Sequence, residues 1–266
     1  MRKPMTKIAI TGAAGRMGRR IAAFAIESEQ FDIVAALEAA GSQLIGQDVG
    51  ELAGAGQFGV KVTAGLEQTP QVVIDFSTPE ASLALLETCR QKGVGIVIGT
   101  TGFTPSQQAA IADAAASIPV VFSANMSVGV NVLLKIVAET AKALGSDYDI
   151  EIAETHHRFK KDAPSGTALA LAKSICAALG KDAGETMVYG RGGQCPRKPG
   201  EIGMHALRVG DTVGEHSVYF GNLGETITIS HSAHTRDTFA RGALRAAAWL
   251  AGKKPGLYTM ADVLGL

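Results

Sequence analysis

Between residues 7 and 125 the chain alternates short runs of β-branched residues with longer Ala-rich segments, separated by Gly or Ser turns. The short runs are apolar along their length, as strands buried on both faces are, and the longer segments have helical composition. This order predicts a parallel sheet with helices on both sides. The predicted strands are 8–11, 33–37, 72–77, 96–100 and 120–123, and the predicted helices are 16–27, 79–91, 105–116 and 128–143.

After residue 145 apolar and polar positions alternate, which predicts a half-exposed, partly antiparallel sheet. The predicted strands here are 149–155, 206–209, 217–220 and 226–231, and the helices are 166–179 and 238–250. Segment 184–202 contains five glycines and two prolines and is predicted to be a mobile loop. Together the two patterns predict an α/β protein: a Rossmann-type dinucleotide-binding domain at 1–127 and 237–266, and an α+β substrate domain with a mixed sheet at 128–236.

Composition narrows the classes of partner. Lys+Arg 25 balance Asp+Glu 25, so no basic surface for nucleic acid is expected. No apolar run reaches the roughly 20 residues that span a bilayer, so no membrane partner is expected. Residues 1–7 lack the pattern of a secretory signal, and a cytoplasmic location is predicted. The three cysteines, Cys89, Cys176 and Cys195, lie far apart, and no metal site is predicted.

A glycine-rich turn follows the first strand. Gly12, Gly15 and Gly18 form a GxxGxxG pattern where strand gives way to helix, a place where backbone N–H groups and the helix dipole can bind a pyrophosphate. Glu38 ends the second strand, 20 residues after Gly18, where a carboxylate can accept hydrogen bonds from ribose hydroxyls. A plain glycine turn with a solvated Glu is the alternative.

Cofactor choice depends on the residues beside Glu38. Ala39 and Ala40 follow it, with no Arg or Lys to meet a 2′-phosphate, which favours NADH. Arg16 could still reach a phosphate, so NADPH remains open. The segments 99–103 and 123–127 end two further strands at the edge where such sheets bind ligands; they could wall a nicotinamide site or serve as ordinary capped turns.

The highest concentration of side chains that could take part in catalysis or bind an anion lies in segment 154–167, just after a strand. His156 and Lys160 fall on the same side whether the segment is extended or helical, so their side chains can converge. The cationic neighbours of Lys160 favour release of its proton. Ser165 is predicted to cap a helix whose N–H groups would bind a carboxylate. A solvated basic run is the alternative, and Arg191, Arg197 and Lys198 are expected to be solvated rather than to close over an anion.

Four motifs, at 12–18, 97–103, 125–131 and 154–167, carry a resemblance over essentially the whole chain. The sequence resembles the bacterial 4-hydroxy-tetrahydrodipicolinate reductases of the diaminopimelate and lysine pathway. The resemblance implies hydride transfer from a nicotinamide cofactor, NADH or NADPH, to a small cyclic dicarboxylate. It also implies a homotetramer assembled through the substrate-domain sheets.

The family's functional positions are present in this sequence. His156 and Lys160 would be the proton-donating pair. The substrate-binding residues implied by the resemblance are Thr101, His157, Lys160, Ser165, Gly166 and Thr167. The cofactor-binding residues are Gly12, Gly15, Arg16, Met17, Gly18 and Glu38 at the adenosine and pyrophosphate half, and Gly99, Thr101, Ser123 and Met126 at the nicotinamide end.

Two departures and two alternatives accompany this interpretation. Ala39 stands where many members have Arg, and Phe159 stands where many have His before the lysine. One alternative is another Rossmann dehydrogenase of amino-acid metabolism, acting on aspartate or homoserine. The other is a non-catalytic NAD(P)H-binding sensor. Because a sensor need not retain both His156 and Lys160, their presence favours the enzyme.

Overall fold

The computed structural model describes residues 5–266. Most of the N-terminal segment on which the prediction of location depends lies outside the described residues. The chain divides into two compact units, one of Met1–Val128 with Asp237–Leu266 and one of Gly129–Arg236. Each unit has its own sheet, and the described residues form two apolar cores in the first unit and one in the second.

The first unit is built on a parallel sheet of seven strands in the order β12-β6-β5-β4-β1-β2-β3. Its strands are β1 (Thr6–Thr11), β2 (Phe31–Leu37), β3 (Val62–Thr63), β4 (Val72–Asp75), β5 (Gly95–Ile98), β6 (Pro119–Phe122) and β12 (Gly256–Tyr258). Its helices are α1 (Arg16–Ile26), α2 (Val49–Ala53), α3 (Pro79–Lys92), α4 (Pro105–Ala115), α8 (Asp237–Leu250) and α9 (Met260–Leu264).

Alternate residues of each strand face opposite sides of this sheet, so uniformly apolar strands build two cores. Ile8 and Ile10 pack with α1 and α8 on one side, whereas Ala9 packs with α3 and α4 on the other. Each fully buried isoleucine contributes about 2 kcal/mol to folding. The parallel sheet with helices on both faces confirms the predicted class of the first unit.

The second unit contains a mixed sheet of five strands in the order β11-β10-β7-β9-β8. Strand β10 is antiparallel to β7 and β11, while β8 and β9 run parallel to β7. One face packs against helices α5 and α6 and the other is open, as the alternating sequence predicts. The elements are α5 (Val128–Leu144), a 3₁₀ turn (Gly145–Asp147), β7 (Asp149–His156), α6 (Gly166–Leu179), α7 (Ala183–Thr186), β8 (Met187–Tyr189), β9 (Ile202–Arg208), β10 (Gly214–Asn222) and β11 (Glu225–Ala233).

Several predicted boundaries are wrong for identifiable reasons. The strands predicted at 72–77 and 96–100 end at Asp75 and Ile98, because the next residues turn so that Ser77 and Thr100 can hydrogen bond to the Asp75 carboxylate. The strand predicted at 206–209 is Ile202–Arg208. The predicted loop 184–202 contains most of α7 and all of β8, and the side chain of Asp182 caps α7. The short elements α2, β3, α9 and β12 were not predicted.

Across residues 5–266, no helix has the length and apolar character needed to cross a membrane.

Candidate functional site

The glycine turn of the first unit is a place where side chains do not fit. Gly12 has a φ of +62°, and a Cβ there would lie 2.5 Å from the carbonyl oxygen of Phe76. A Cβ on Gly18 would lie 2.1 Å from the carbonyl oxygen of Gly12. Helix α1 starts directly after Gly15, without a side-chain cap at that residue within the described chain. Its first backbone N–H groups therefore suit an anion such as a pyrophosphate.

Glu38 is fixed against this turn. Its carboxylate accepts hydrogen bonds from the backbone N–H of Ala14 (3.1 Å) and of Ala39 (3.2 Å). It borders a cavity of about 580 Å³, and the alanines at 39 and 40 line the same wall. Other lining residues are Thr11, Gly12, Gly15, Leu37, Ala64, Gly65, Leu66, Phe76, Ser77, Thr78, Ala81, Ala84, Leu85 and Thr88. A glycine cradle and a carboxylate on one cavity fit the adenosine and pyrophosphate half of a dinucleotide. Arg16 is exposed, and Met17 is half-buried against the core.

Most of the residues predicted for the nicotinamide end make packing contacts or hydrogen bonds within the protein itself. A Cβ on Gly99 would lie 2.3 Å from the ring of Phe76, so any side chain there would have to displace that ring. Met126 is 1% exposed and packs in the core of the first unit. Ser123 donates its hydroxyl to the carbonyl of residue 125 (2.9 Å), and Thr101 lies exposed in the turn after β5.

Sequence reasoning missed a buried carboxylate beneath this region. Asp75 accepts hydrogen bonds from the hydroxyls of Thr11 (2.5 Å), Ser77 (2.6 Å) and Thr100 (2.9 Å), and from that of Ser82. It joins the ends of β1, β4 and β5, and so fixes the turns that border the cavity. The available signal was an Asp or Thr at the end of each of these strands.

In the second unit, β7 ends at His156, and a short irregular segment leads to α6. His156 Nδ1 lies 2.5 Å from Oε2 of the buried Glu154. The ammonium of Lys160 lies 2.8 Å from both oxygens of Asp162, and this contact holds the pKa of the Asp162 carboxyl below its usual range. The bonded partner of Lys160 in the folded chain is thus a carboxylate, not one of the cations that flank it in the sequence. The convergence of His156 with Lys160 stays a prediction, because the two side chains hold different carboxylates.

Ser165 caps α6, and this part of the prediction is confirmed. Its Oγ accepts from the N–H of Ala168 (3.2 Å) and lies 2.9 Å from Nε2 of His216. Burial, with the nearby His156, lowers the pKa of His216 to about 4, so its ring is neutral at neutral pH. Gly166 is exposed at the first helical position, and Thr167 is half-buried.

Glu154 connects these parts. Its two oxygens accept from His156, from the backbone N–H of Ser165 (3.0 Å) and from two guanidinium nitrogens of Arg208 (2.9 Å each). Burial favours the neutral acid, but the hydrogen bonds from Arg208, His156 and Ser165 outweigh it and hold the pKa of Glu154 below its ordinary value. Glu154 is the first residue of the motif 154–167, but no local pattern in the sequence indicated that Arg208 and His216 would be its neighbours.

His157 lies on another wall of the second unit. It borders a cavity of about 350 Å³ with Phe159, Asp211, Val213 and Arg236. Among the described residues, its buried Nδ1 has no hydrogen-bond partner.

The prediction for the loop arginines is wrong. Arg191 and Arg197 are not solvated but ion-paired with Glu151, and also with Glu201 and Asp149 respectively, because the loop folds back along β7 and β9.

Comparison with known proteins matches both parts of the chain to one family. Residues 6–126 match "Dihydrodipicolinate reductase, N-terminus" and residues 129–264 match "Dihydrodipicolinate reductase, C-terminus". Proteins called 4-hydroxy-tetrahydrodipicolinate reductase from Citrifermentans bemidjiense, Hahella chejuensis and Geobacter sulfurreducens are each 52% identical, over 98% of this chain and 100% of theirs.

Solved structures agree on the fold. A dipicolinate-bound dihydrodipicolinate reductase from Paenisporosarcina sp. TG-14 superimposes with a TM-score of 0.77 at 24% identity, covering 97% of this chain and 99% of that one. GenD2 of gentamicin A biosynthesis, in complex with NAD, superimposes with a TM-score of 0.61 at 12% identity, covering 99% and 91%. By its two domain matches and its full-length relatives, the chain belongs to the dihydrodipicolinate reductase family.

Proposed function

We propose that this chain reduces 4-hydroxy-tetrahydrodipicolinate to tetrahydrodipicolinate in lysine and diaminopimelate biosynthesis. The observation that carries the proposal is the 52% identity, over the full length, to relatives that bear the name of this reductase. The site geometry supports it, because one unit offers a dinucleotide cradle and the other offers cations beside a capped helix start. The dehydrogenase and sensor alternatives are not favoured by these relatives.

The first unit is the proposed cofactor domain. The cradle at Gly12 and Gly18 and the carboxylate of Glu38 fit a nicotinamide dinucleotide. Bound there, the nicotinamide ring supplies a hydride. We assign Gly12, Gly15, Arg16, Met17, Gly18 and Glu38 to its adenosine and pyrophosphate half, and Gly99, Thr101, Ser123 and Met126 to its nicotinamide end.

NADH is the preferred cofactor in this proposal. Ala39 and Ala40 line the cavity beside Glu38 and carry no charge to meet a 2′-phosphate, which the Glu38 carboxylate would repel. We expect Ala39→Arg to shift the ratio of kcat/KM for NADPH over NADH upward by roughly 10-fold or more. Ala40→Ser, which adds no charge to the same wall, serves as the control. An unchanged ratio in Ala39→Arg would contradict this preference.

The second unit is the proposed substrate domain. Ser165, Gly166 and Thr167 open α6, where N–H groups and the helix dipole favour a carboxylate. His157, whose buried Nδ1 lacks a described partner, and Lys160 would meet the dicarboxylate substrate. Thr101, on the first unit, is assigned to the substrate by the resemblance alone.

His156 and Lys160 are the proposed proton donors. Because Nδ1 of His156 faces Glu154, Nε2 is the nitrogen that would take up a proton, giving the imidazolium, and then deliver it to the substrate. The Lys160 ammonium can donate a proton from Nζ. In this structure Nζ is hydrogen bonded to the Asp162 carboxylate, which would compete with a substrate carboxylate for it.

The test is oxidation of NADH and NADPH by the purified protein. Substrate is generated in the assay from pyruvate and aspartate semialdehyde by the preceding synthase, and omission of the synthase is the control. Rapid oxidation establishes the reductase. Folded protein that binds NADH without oxidising it would overturn the proposal and favour the sensor, whereas turnover with aspartate or homoserine would favour the dehydrogenase.

We further propose a cytoplasmic homotetramer assembled through the open face of the unit-two sheet. Leu207 and Tyr219 lie on that face by strand register and are 50% and 39% exposed. All three cysteines are free thiols, as is usual in a reducing compartment. Light scattering should give four times the mass of one chain, and a monomer would contradict the assembly.

A further inference from the structure

We propose that Glu154 is a positioning residue for His156: its buried carboxylate holds the imidazole in the tautomer and orientation that direct Nε2 toward the substrate. This inference rests on the proposed function, in which His156 donates a proton. Glu154 itself touches neither substrate nor cofactor in this scheme and acts only through the ring it holds.

The carboxylate of Glu154 cannot turn away from the ring. Glu154 and His156 are two residues apart on β7, so their side chains leave the same face of the strand. Oε2 meets His156 Nδ1 at 2.5 Å, while each oxygen also accepts from Arg208, and Oε1 accepts from the Ser165 backbone. Four donors therefore fix both oxygens of a side chain that is 0% exposed.

This contact selects a tautomer. An ionised carboxylate can only accept hydrogen bonds, so the proton of a neutral His156 ring lies on Nδ1 and Nε2 is left open. On the neighbouring strand, Gly214 lies against that nitrogen without a side chain; a Cβ built there would lie 3.0 Å from Nε2, so a larger residue would cover it. The hydrogen bonds that lower the pKa of Glu154 keep the carboxylate ionised at neutral pH.

A purely structural role is the competing explanation. Through Arg208 and Ser165 the same carboxylate joins β7, β9 and the start of α6, which alone would justify burying it. Two variants separate the roles. Glu154→Gln cannot accept from His156, Ser165 and Arg208 together, because half of its amide is a donor. Arg208→Gln removes the ion pair but leaves the bond between Glu154 and His156.

The first experiment compares steady-state kinetics of these two variants. We expect Glu154→Gln to lower kcat by on the order of 10- to 100-fold while KM for NADH changes less than 2-fold. Arg208→Gln should lose at least as much thermal stability as Glu154→Gln, yet lower kcat less than 3-fold. Parallel losses of kcat and stability in both variants would overturn the proposal.

A double-mutant cycle tests whether the effect passes through His156. His156→Asn keeps an N–H near the position of Nδ1 but removes Nε2. If Glu154 acts only through His156, adding Glu154→Gln to His156→Asn costs less than 2-fold in kcat. A full further loss of 10-fold or more would show an independent role and overturn the proposal.

A spectroscopic readout does not depend on turnover. In protein labelled with ¹⁵N-histidine, at a pH where the ring is neutral, the resonances absent from His156→Asn identify this residue. They should report the proton on Nδ1, and Glu154→Gln should abolish that preference. A proton on Nε2 in the unsubstituted protein would overturn the proposal even if the reductase assay succeeds. Conversely, failure of the reductase assay with the Nδ1 tautomer intact would reject the proposed function and leave the positioning role standing.

Discussion

The two proposed ligand regions of this protein are made in opposite ways. In the first unit, the proposed recognition depends on side chains that are missing: Gly12 and Gly18 have no room for a Cβ, and the Glu38 carboxylate is bonded to backbone N–H groups. In the second unit, the proposed recognition depends on charged side chains packed together, with Glu154 and Asp162 opposite Arg208 and Lys160. The first region thus depends on the space that absent side chains leave, and the second depends on the pairing of charged side chains.

This difference predicts different sensitivities. A cradle made of backbone groups should respond to added volume and little to pH, because peptide groups do not titrate. A set of paired charges should respond to the loss of a single charge and to protonation, because each partner sets the ionisation of the others.

The largest expected effect is that of Lys160→Ala in the second unit. Loss of the ammonium removes a proposed proton donor and a contact to the substrate, and we expect kcat to fall by on the order of 10²- to 10⁴-fold. NADH affinity, measured by fluorescence titration, should stay within 2-fold, because the cradle lies in the other unit. Lys161→Ala removes the adjacent, exposed lysine and is the matched control. Equal losses from both lysines would show a diffuse basic field instead of a defined site.

Added volume should damage the cradle next most strongly. A Cβ on Gly18 would meet Gly12 and Ala13 backbone atoms at 2.1 and 2.6 Å, so Gly18→Ala must open the turn. We expect NADH Kd to rise by roughly 10- to 100-fold and stability to fall by about 1–3 kcal/mol. Gly41→Ala, whose Cβ would meet nothing within 4 Å, is the control and should leave both unchanged. Unchanged affinity in Gly18→Ala would remove the argument that missing side chains make this site.

Protonation should act on the second unit through His216. Burial lowers its pKa from 6.5 to about 4, so between these values the unfolded chain binds more protons and stability falls as pH falls. At pH 5 this costs about 2 kcal/mol relative to pH 7. We expect His216→Gln to lose this component in urea unfolding at the two pH values, whereas His234→Gln, at an exposed histidine, should keep it. An identical pH dependence in all three proteins would exclude His216 as its source.

The same contrast explains what the sequence could predict. The glycine turn and Glu38 lie within one strand–helix–strand unit, where spacing alone determines proximity, and uniformly apolar strands indicate a parallel sheet. The cap at Ser165 was predictable for the same reason. Arg208 and His216 reach Glu154 and Ser165 only through the pairing of β9 and β10 with β7, which depends on the whole sheet. Asp75 was missed because its four hydroxyl partners come from the ends of three strands and from helix α3.

The ion pairs of the loop show this limit most clearly. A run of glycines, prolines and basic residues reads as a mobile, solvated loop, because sequence spacing gives no sign of Glu151 on β7. In the folded chain, Arg191 and Arg197 both bond to that carboxylate. Arginines that the local sequence pattern predicts to be solvated are thus ion-paired, because the fold brings their loop next to β7.

The smallest expected effect is that of removing the Asp162 charge. It tests whether Asp162 competes with the substrate for Lys160 or aligns Lys160 to bind it. Asp162 is 63% exposed, and an ion pair of that exposure contributes about 0–1 kcal/mol. If Asp162 competes with a substrate carboxylate for the Lys160 ammonium, Asp162→Asn should lower KM for the substrate by up to about 5-fold at low salt, with kcat within 2-fold. The difference in KM between Asp162→Asn and the unsubstituted protein should be smaller at about 0.5 M salt, because salt screens interactions between exposed charges. A rise in KM would mean instead that Asp162 aligns Lys160 for the substrate, and the second unit would then resemble the first in holding its ligand groups ready before binding.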